Sequence, residues 1–192
     1  MRIFCIGRNY AAHAAELKND MLDEPVVFIN PSSCLVTEGQ MIRIPNHGKN
    51  LHHEAEIVIR MDSSGGISGL GIGLDLTLRD VQSALKNKGL PWEKAKAFDG
   101  SAPLGKMVDY KCQNLTNLLI GCRVNGQEKQ RGNSGQMLFS INDIIAHLQT
   151  IWKLQEGDLI FTGTPQGVGD LKKGDKIEVF SDFCEPSLWT VA

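Results

Sequence analysis

The chain has 192 residues, enough to bury the core of one domain, and its 20 basic and 22 acidic residues give a formal net charge of −2. No run of Lys or Arg is suited to a phosphate backbone or an anionic lipid surface, which argues against nucleic acid and membrane partners. No segment approaches the roughly 20 apolar residues of a membrane span, and the apolar start is too short for a signal peptide. We therefore predict one soluble, cytoplasmic domain spanning residues 1–192.

The cysteines and glycines bear on the fold class. Glycine occurs 20 times, which indicates many turns and bulges and favours a strand-rich fold over a helical bundle. The five cysteines are scattered and form no C-x-x-C pair, so we predict reduced thiols rather than disulfides or a zinc site.

The first part of the chain predicts short strands separated by turns. A strand from Ile3 to Ile6 precedes a turn at Gly7 and an Ala-rich helix from Tyr10 to Lys18. Two further strands, at residues 25–30 and 41–44, each end at a proline.

His13 and Glu16 lie three residues apart in the predicted helix and so share one helical face. A carboxylate beside an imidazole fixes its tautomer and raises its basicity, so the two side chains could act as a general base and its orienting group. A bare H-x-x-E pattern is common and by itself more often has no catalytic role.

The strand from Glu54 to Met61 carries the strongest chemical signal. Alternation places Glu54 and Glu56 on one face and apolar side chains on the other, which we predict to be the core face. Paired carboxylates repel each other unless a cation lies between them, and their oxygens suit Mg²⁺ or Mn²⁺. A solvated strand face with two charges is the alternative. Zinc bound through His52 or His53 is less favoured, because there is no H-E-x-x-H helix.

Asp75 lies where a glycine-spaced strand, predicted over residues 67–76, meets a helix. It could supply a third oxygen ligand, leaving one side of the ion open to a bidentate substrate, or it could only stabilise the helix N-terminus. The pattern Thr77-x-x-Asp80 resembles a capping box and predicts a helix through Lys88.

Other polar residues could contact a ligand. Arg79 and Gln82 share one helical face and could equally be ordinary surface residues. Lys96 lies in a mostly apolar, loop-like segment, where it could stabilise an oxyanion or simply extend to solvent. Thr164 belongs to the Gly-rich segment 163–169, which could hold a carboxylate or form only a tight turn, and which fits no nucleotide-binding pattern.

The second half predicts mostly strands. After a loop through Gly105 we expect a strand at 118–124 with a hairpin turn at Asn125-Gly126, a helix at 141–150 and a strand at 159–162. A strand at 176–180 is predicted to close the fold.

Taken in order, these segments resemble the fumarylacetoacetate hydrolase family. The resemblance runs from Ile3 to about Val179, and the short start with its H-x-x-E helix is similar to the acylpyruvase and oxaloacetate decarboxylase branch. The segments that carry it are Gly7–Tyr10 with His13 and Glu16, His53–Glu56, Asp75–Asp80 with Gln82, Lys96–Asp99, and Gly163–Gly169.

The resemblance implies an α+β fold, a mixed β-sheet roll of the family's C-terminal domain type with a short N-terminal lid helix at about residues 10–22, assembled as a homodimer. It implies Mg²⁺ or Mn²⁺, with Ca²⁺ able to replace them in crystals, and no organic cofactor. The implied site residues are Glu54, Glu56 and Asp75 as metal ligands, His13, Glu16 and Lys96 as catalytic residues, and Arg79, Gln82 and Thr164 as substrate contacts.

The implied activity is the hydrolytic cleavage of a carbon–carbon bond in an acylpyruvate, with water activated by His13 and a pyruvate enolate stabilised by the metal. Decarboxylation of oxaloacetate and tautomerisation or isomerisation of a 2-oxo acid are alternatives at the same site. A catalytically impaired protein that only binds a metal or a small acid is a further alternative.

Three departures from the family pattern, at four positions, bear on substrate choice. Asn30 occupies a position where the family usually has lysine. Gly100 and Ser101 replace bulkier residues, and Leu78 stands where alanine is common.

Overall fold

The computed structural model describes residues 1–11 and 23–192, in which short strands predominate. The strands are β1 (Ile3–Gly7), β2 (Val26–Asn30), β3 (Leu35–Thr37), β4 (Met41–Ile42), β5 (Leu51–His53), β6 (Ala55–Met61), β7 (Ile67–Leu74), β8 (Thr77–Leu78), β9 (Ala102–Asp109), β10 (Leu119–Val124), β11 (Gln127–Asn133), β12 (Leu159–Phe161), β13 (Gly169–Asp170), β14 (Lys176–Ser181) and β15 (Ser187–Val191). The helices are α1 (Arg79–Asn87), α2 (Glu93–Lys96) and α3 (Ile141–Ile151).

The strands form three sheets. A seven-stranded sheet has the order β2-β1-β12-β6-β7-β9-β3, a five-stranded sheet the order β11-β10-β14-β15-β4, and a three-stranded sheet the order β13-β5-β8. Parallel pairs (β1 with β12, β3 with β9, β15 with β4) occur among antiparallel ones. The α+β fold with mixed sheets is thereby confirmed. Most of the predicted lid helix, residues 12–22, lies outside the described residues, and Tyr10 forms a bridge with Met137.

The central strand β6 is buried on both faces, not on one as its alternation predicted. Ala55, Ile57 and Ile59 belong to the main core, whereas Val58 packs on the opposite face with a second cluster that contains Phe161. Because β6 lies between β12 and β7 in the middle of the larger sheet, both faces are buried along the strand except at the partly exposed Arg60.

The predicted capping box at Thr77 is wrong. The Thr77 hydroxyl donates to the Asp75 carbonyl oxygen at 3.2 Å, and Leu78 occupies the N-cap position of α1 without a side-chain cap. The Asp80 carboxylate instead accepts from the backbone N–H groups of Lys49 and Asn50, at 2.9 and 3.3 Å. Asp80 thus fastens the start of α1 to the segment that leads into β5.

The predicted loop through Gly105 is also wrong, because β9 runs through this position and pairs with β7 and β3. A Cβ atom on Gly105 would lie 2.6 Å from the Ser187 hydroxyl, so close packing rather than a turn requires glycine here. Ser187 begins β15, a strand beyond the one predicted to close the fold. The predicted Asn125-Gly126 turn is confirmed, with positive φ angles of 51° and 79°.

Candidate active site

Three carboxylates meet where β6 begins and β7 ends. The two strands are antiparallel neighbours with Ala55 opposite Leu74, and the Asp75 N–H donates to the Glu54 carbonyl at 2.9 Å. This register places Asp75 beside Glu54 and Glu56, although the positions are far apart in the chain. One oxygen from each of the three carboxylates lies within 4.8 Å of the other two.

These carboxylates are buried, so a solvated strand face is excluded. Glu54, Glu56 and Asp75 expose 5%, 1% and 3% of their surface. Burial raises the pKa of Asp75 to about 6, with Lys96 opposing the change and Glu54 adding to it. Burial, together with the negative charge of Asp75, also raises the pKa of Glu56 well above its ordinary value. A nearby positive charge would therefore stabilise the ionised form of these carboxylates.

Lys96 supplies part of that charge from the last position of α2, and the prediction of a loop here is wrong. Its Nζ atom lies 2.8 Å from Glu54 Oε2 and 2.6 Å from Asp75 Oδ2, and 5.4 Å above the Phe28 ring. Burial alone would lower the pKa of Lys96, but Asp75 and Glu54 raise it above its ordinary value. The lysine is therefore a buried ammonium ion held by two of the three carboxylates.

Arg79 and Gln82 face the same cluster from α1. Arg79 Nη2 donates to Glu54 Oε1, and Arg79 Nη1 donates to Gln82 Oε1 at 2.8 Å. Gln82 is only 4% exposed. The predicted shared face of these two residues is confirmed, and their contact with a substrate stays a prediction.

The segment containing Thr164 contacts the start of β6. The Gly163 N–H donates to Glu56 Oε2 at 2.8 Å, and the Thr164 hydroxyl donates to the Ala55 carbonyl at 3.0 Å. A Cβ atom on Gly163, whose φ is +101°, would lie 2.7 Å from the Asn9 Cβ, which explains the glycine. Thr164 is therefore close to the carboxylates, but its hydroxyl proton is already engaged.

The donors present fit a divalent cation with a preference for oxygen. Buried carboxylate oxygens are the ligands that Mg²⁺ and Mn²⁺ favour. Asp75 Oδ1 is buried and has no hydrogen-bond partner among the described residues, so this oxygen could coordinate a cation. Glu54, Glu56 and Asp75 could thus hold the ion that the sequence predicts.

Two cations that sequence analysis missed lie beside the site. Lys86 Nζ lies 4.8 Å from the centre of the Trp92 ring, and Arg8 Cζ lies 6.0 Å from it. Lys86 follows Gln82 by four residues and Arg79 by seven, so all three share one face of α1. Burial and the neighbouring charges of Arg8 and Arg79 lower the pKa of Lys86 to about 8. The helical spacing of Lys86 from Arg79 and Gln82 was the sequence signal that could have identified it as a site residue.

Three positions named in the sequence analysis remain to be placed: His13, Glu16 and Asn30. His13 and Glu16 lie outside the described residues, so their roles stay predictions. Asn30 is buried, and its Nδ2 atom donates to the Lys96 carbonyl at 3.2 Å. The asparagine therefore links β2 to the end of α2, next to the lysine that holds the carboxylates.

The mixed sheets and the buried carboxylate cluster at a strand end define an α+β protein with a candidate divalent-cation site, and comparison with known proteins identifies its family. Residues 2–183 match the fumarylacetoacetate (FAA) hydrolase C-terminal family. The chain belongs to this family, which confirms the resemblance seen in its sequence.

Several relatives have named activities. The chain is 41% identical over 191 residues to the mitochondrial oxaloacetate tautomerase FAHD1 of Mus musculus, covering 94% of this chain and 86% of that protein. It is 39% identical over 189 residues to a mitochondrial oxaloacetate decarboxylase of Dictyostelium discoideum, covering 92% and 87%. The crystal structure of fumarylpyruvate hydrolase from Pseudomonas aeruginosa in complex with Mn²⁺ and pyruvate matches with a TM-score of 0.93 at 32% identity, covering 100% of this chain and 89% of that chain. These relatives act on small 2-oxo acids.

In the described part of the chain, no helix is long and apolar enough to cross a membrane. The five cysteines are free, as predicted. The homodimer and the cytoplasmic location stay predictions.

Proposed function

We propose that the protein is a divalent-cation-dependent enzyme that acts on oxaloacetate or a similar 2-oxo dicarboxylate by promoting its conversion between ketone and enol forms. The observation that carries the proposal is the arrangement of charge: in a cluster of three buried carboxylates, Lys96 contacts Glu54 and Asp75 and Arg79 contacts Glu54, while Arg8 and Lys86 lie nearby at Trp92. Similarity to an oxaloacetate tautomerase and an oxaloacetate decarboxylase supports this choice of substrate over an acylpyruvate.

The charge balance suits a dianionic substrate. Arg79 and Lys96 contact the carboxylate cluster of Glu54, Glu56 and Asp75, Lys86 is close enough to feel the charge of Glu54, and Arg8 is close enough to affect Lys86. A bound Mg²⁺ or Mn²⁺ ion would add positive charge that stabilises the enolate form of a 2-oxo acid. An acid with two carboxylates is therefore better matched to this site than one with a single carboxylate.

Each side chain has a distinct part in the proposed reaction. Glu54, Glu56 and Asp75 hold the cation. The Lys96 ammonium donates to the oxygen on carbon 2 as negative charge develops there. The His13 imidazole, oriented by Glu16, takes a proton from carbon 3, and a proton added to the oxygen on carbon 2 completes the enol.

Decarboxylation of oxaloacetate needs the same charge stabilisation but no general base in the bond-breaking step, because the bond between carbons 3 and 4 breaks to release carbon dioxide and its electron pair forms the pyruvate enolate. Hydrolysis of an acylpyruvate is the second candidate, and its support is the close structural match to fumarylpyruvate hydrolase along the whole chain. In that reaction His13 would deprotonate the attacking water.

A substrate panel tests the proposal. Purified protein would be assayed with oxaloacetate for enol–ketone conversion and for decarboxylation, and with acetylpyruvate and fumarylpyruvate for hydrolysis, each with and without Mn²⁺. We expect Mn²⁺-dependent enol–ketone conversion to have the highest kcat/KM. A higher kcat/KM for hydrolysis would favour the second candidate, and no turnover in any assay would contradict both.

Lys86 is expected to recognise the second carboxylate of the substrate. Replacing it in Lys86→Met should raise KM for oxaloacetate ~10-fold, the effect of losing about 1.4 kcal/mol of charge-assisted hydrogen bonding. KM for acetylpyruvate, which lacks that carboxylate, should change less than about twofold. Lys88→Met is the matched control, because Lys88 is an exposed lysine just beyond the same helix. Equal KM changes for both substrates would contradict this role.

A further inference from the structure

Gln130 is a buried glutamine whose side chain has every hydrogen-bonding position occupied. Its exposed fraction is 1%. The Oε1 atom accepts from the Ala55 N–H at 3.1 Å and lies 2.9 Å from His53 Nδ1. The Nε2 atom donates to the Thr164 hydroxyl and to the Pro165 carbonyl, both at 2.8 Å. A buried polar atom without a hydrogen-bond partner is costly, so an amide with all four hydrogen bonds made is held firmly in one position.

The orientation of this amide is fixed by its backbone partners. The Ala55 N–H can only donate, and the Pro165 carbonyl can only accept, so exchanging the oxygen and nitrogen of Gln130 would break both bonds. His53 Nδ1 must therefore carry a proton. The Thr164 hydroxyl accepts from Gln130, which leaves its own proton for the Ala55 carbonyl at 3.0 Å.

Both peptide groups of Ala55 are held by this network. The Ala55 N–H, in the peptide that joins it to Glu54, donates to Gln130, and the Ala55 carbonyl, in the peptide that joins it to Glu56, accepts from Thr164. On this edge of β6, the two peptides that direct the Glu54 and Glu56 side chains are thus held by one amide on β11, a strand of another sheet, whereas β7 holds the opposite edge through the Asp75 N–H bond to the Glu54 carbonyl.

β7 pairs with β6 as far as Ala55, but β12, on the opposite edge of β6, does not reach this position. β12 pairs with β6 only at positions Val58 to Arg60, so it ends before the part of β6 that carries the carboxylates. Beyond that point one backbone bond remains, from the Thr162 N–H to the Ile57 carbonyl at 3.1 Å, and side chains supply the rest. The Thr162 hydroxyl donates to the same carbonyl at 2.9 Å, and Thr164 and Gln130 complete the series at Ala55.

We propose that Gln130 is a positioning residue for the divalent-cation site, acting through Ala55 and Thr164 on the geometry of Glu54 and Glu56. This inference rests on the proposed role of these carboxylates in binding a cation. Partners that orient metal ligands typically change metal affinity or activity by about 10- to 100-fold when they are removed.

Mn²⁺ binding measured by calorimetry, without substrate, tests the proposal. Gln130→Ala and Gln130→Met, the second of which fills a similar volume without polar atoms, should each raise the Kd for Mn²⁺ by about 10- to 100-fold. Gln127→Ala is the control, because Gln127 lies on the same strand but is exposed. Activity of the Gln130 variants should be low at limiting Mn²⁺ and should partly recover at saturating Mn²⁺, which a general folding defect would not produce.

The outcomes separate this inference from the proposed function. A Kd in folded Gln130 variants equal to that of the wild type would overturn it, and so would failure of both variants to fold, since Gln130 would then support the fold rather than the site. Normal Mn²⁺ binding by a wild-type protein that converts none of the substrates would overturn the proposed function and leave the positioning role intact. A wild-type protein that does not bind Mn²⁺ would overturn both.

Discussion

Lys96→Met is expected to destabilise the cation-free protein by about 3–5 kcal/mol, because it removes the ammonium that holds two buried carboxylates. Lys96 Nζ contacts Glu54 and Asp75 at 2.8 and 2.6 Å, and both partners of each pair are almost fully buried. A divalent cation bound by the same carboxylates would replace the missing charge. Mn²⁺ should therefore restore a large part of the lost stability.

Urea unfolding of the wild type and Lys96→Met, each with and without Mn²⁺, measures this effect. Lys106→Met is the matched control, because Lys106 pairs with Glu185 at 2.6 Å on an exposed part of the surface. Because both partners are exposed, that ion pair should contribute little to stability and should not respond to Mn²⁺. A loss of stability in Lys96→Met that is equal with and without Mn²⁺ would contradict a shared cation site.

Lys96→Met should also slow turnover at saturating Mn²⁺ by about 10²- to 10³-fold, the usual cost of removing a donor to a developing oxyanion. The measurement is kcat for enol–ketone conversion of oxaloacetate. An unchanged kcat would make the lysine a counter-ion for the carboxylates and no part of the reaction.

His13→Ala is expected to lower enol–ketone conversion of oxaloacetate by about 10²- to 10⁴-fold, the typical effect of losing a general base. Decarboxylation should be largely spared, because loss of carbon dioxide requires charge stabilisation but no base. The two rates on one substrate therefore separate proton transfer from enolate stabilisation. The rate of acylpyruvate hydrolysis, which needs an activated water, should fall together with the rate of enol–ketone conversion.

His147→Ala serves as the control for this comparison, because His147 lies on α3, outside the carboxylate cluster. If conversion and decarboxylation both survive in His13→Ala, His13 is not the general base. If the rates of conversion and decarboxylation fall equally at saturating Mn²⁺, His13 contributes to substrate binding rather than to proton transfer.

The convergence of the three carboxylates could be predicted from the sequence because each of its causes is local. Strand alternation directs Glu54 and Glu56 the same way, and the strand end after Leu74 delivers Asp75. Helical spacing likewise predicts that Arg79 and Gln82 lie on one face of the helix, and their 2.8 Å hydrogen bond confirms it.

The partners of the carboxylates could not be predicted, because they come from distant parts of the chain. Lys96 is 42 positions from Glu54, and its segment looked like a loop because α2 has only four residues. Gln130 lies in QEKQRGN, a strand without any apolar residue, so no hydrophobic alternation marked the inward-facing positions. Only the hairpin turn before it, which sets the register of β10 and β11, gave a sequence signal.

The last strand illustrates the same limit. β15 pairs with both β14 and β4, and the β4 partner comes from the first quarter of the chain. Its sequence, SLWTV, is short and follows Pro186, so the ordinary strand signals are weak. The packing of Ser187 against Gly105 becomes visible only when the two sheets are brought together.

Calorimetric titration of Mn²⁺ into the wild type and Glu56→Gln tests the central claim most directly. The glutamine keeps an oxygen that can accept from the Gly163 N–H, which now donates to Glu56 at 2.8 Å, so the local structure should persist. The variant loses one charged ligand, and we expect at least about 100-fold weaker binding than in the wild type. Equal Mn²⁺ affinity in the two proteins would contradict a cation site formed by Glu54, Glu56 and Asp75.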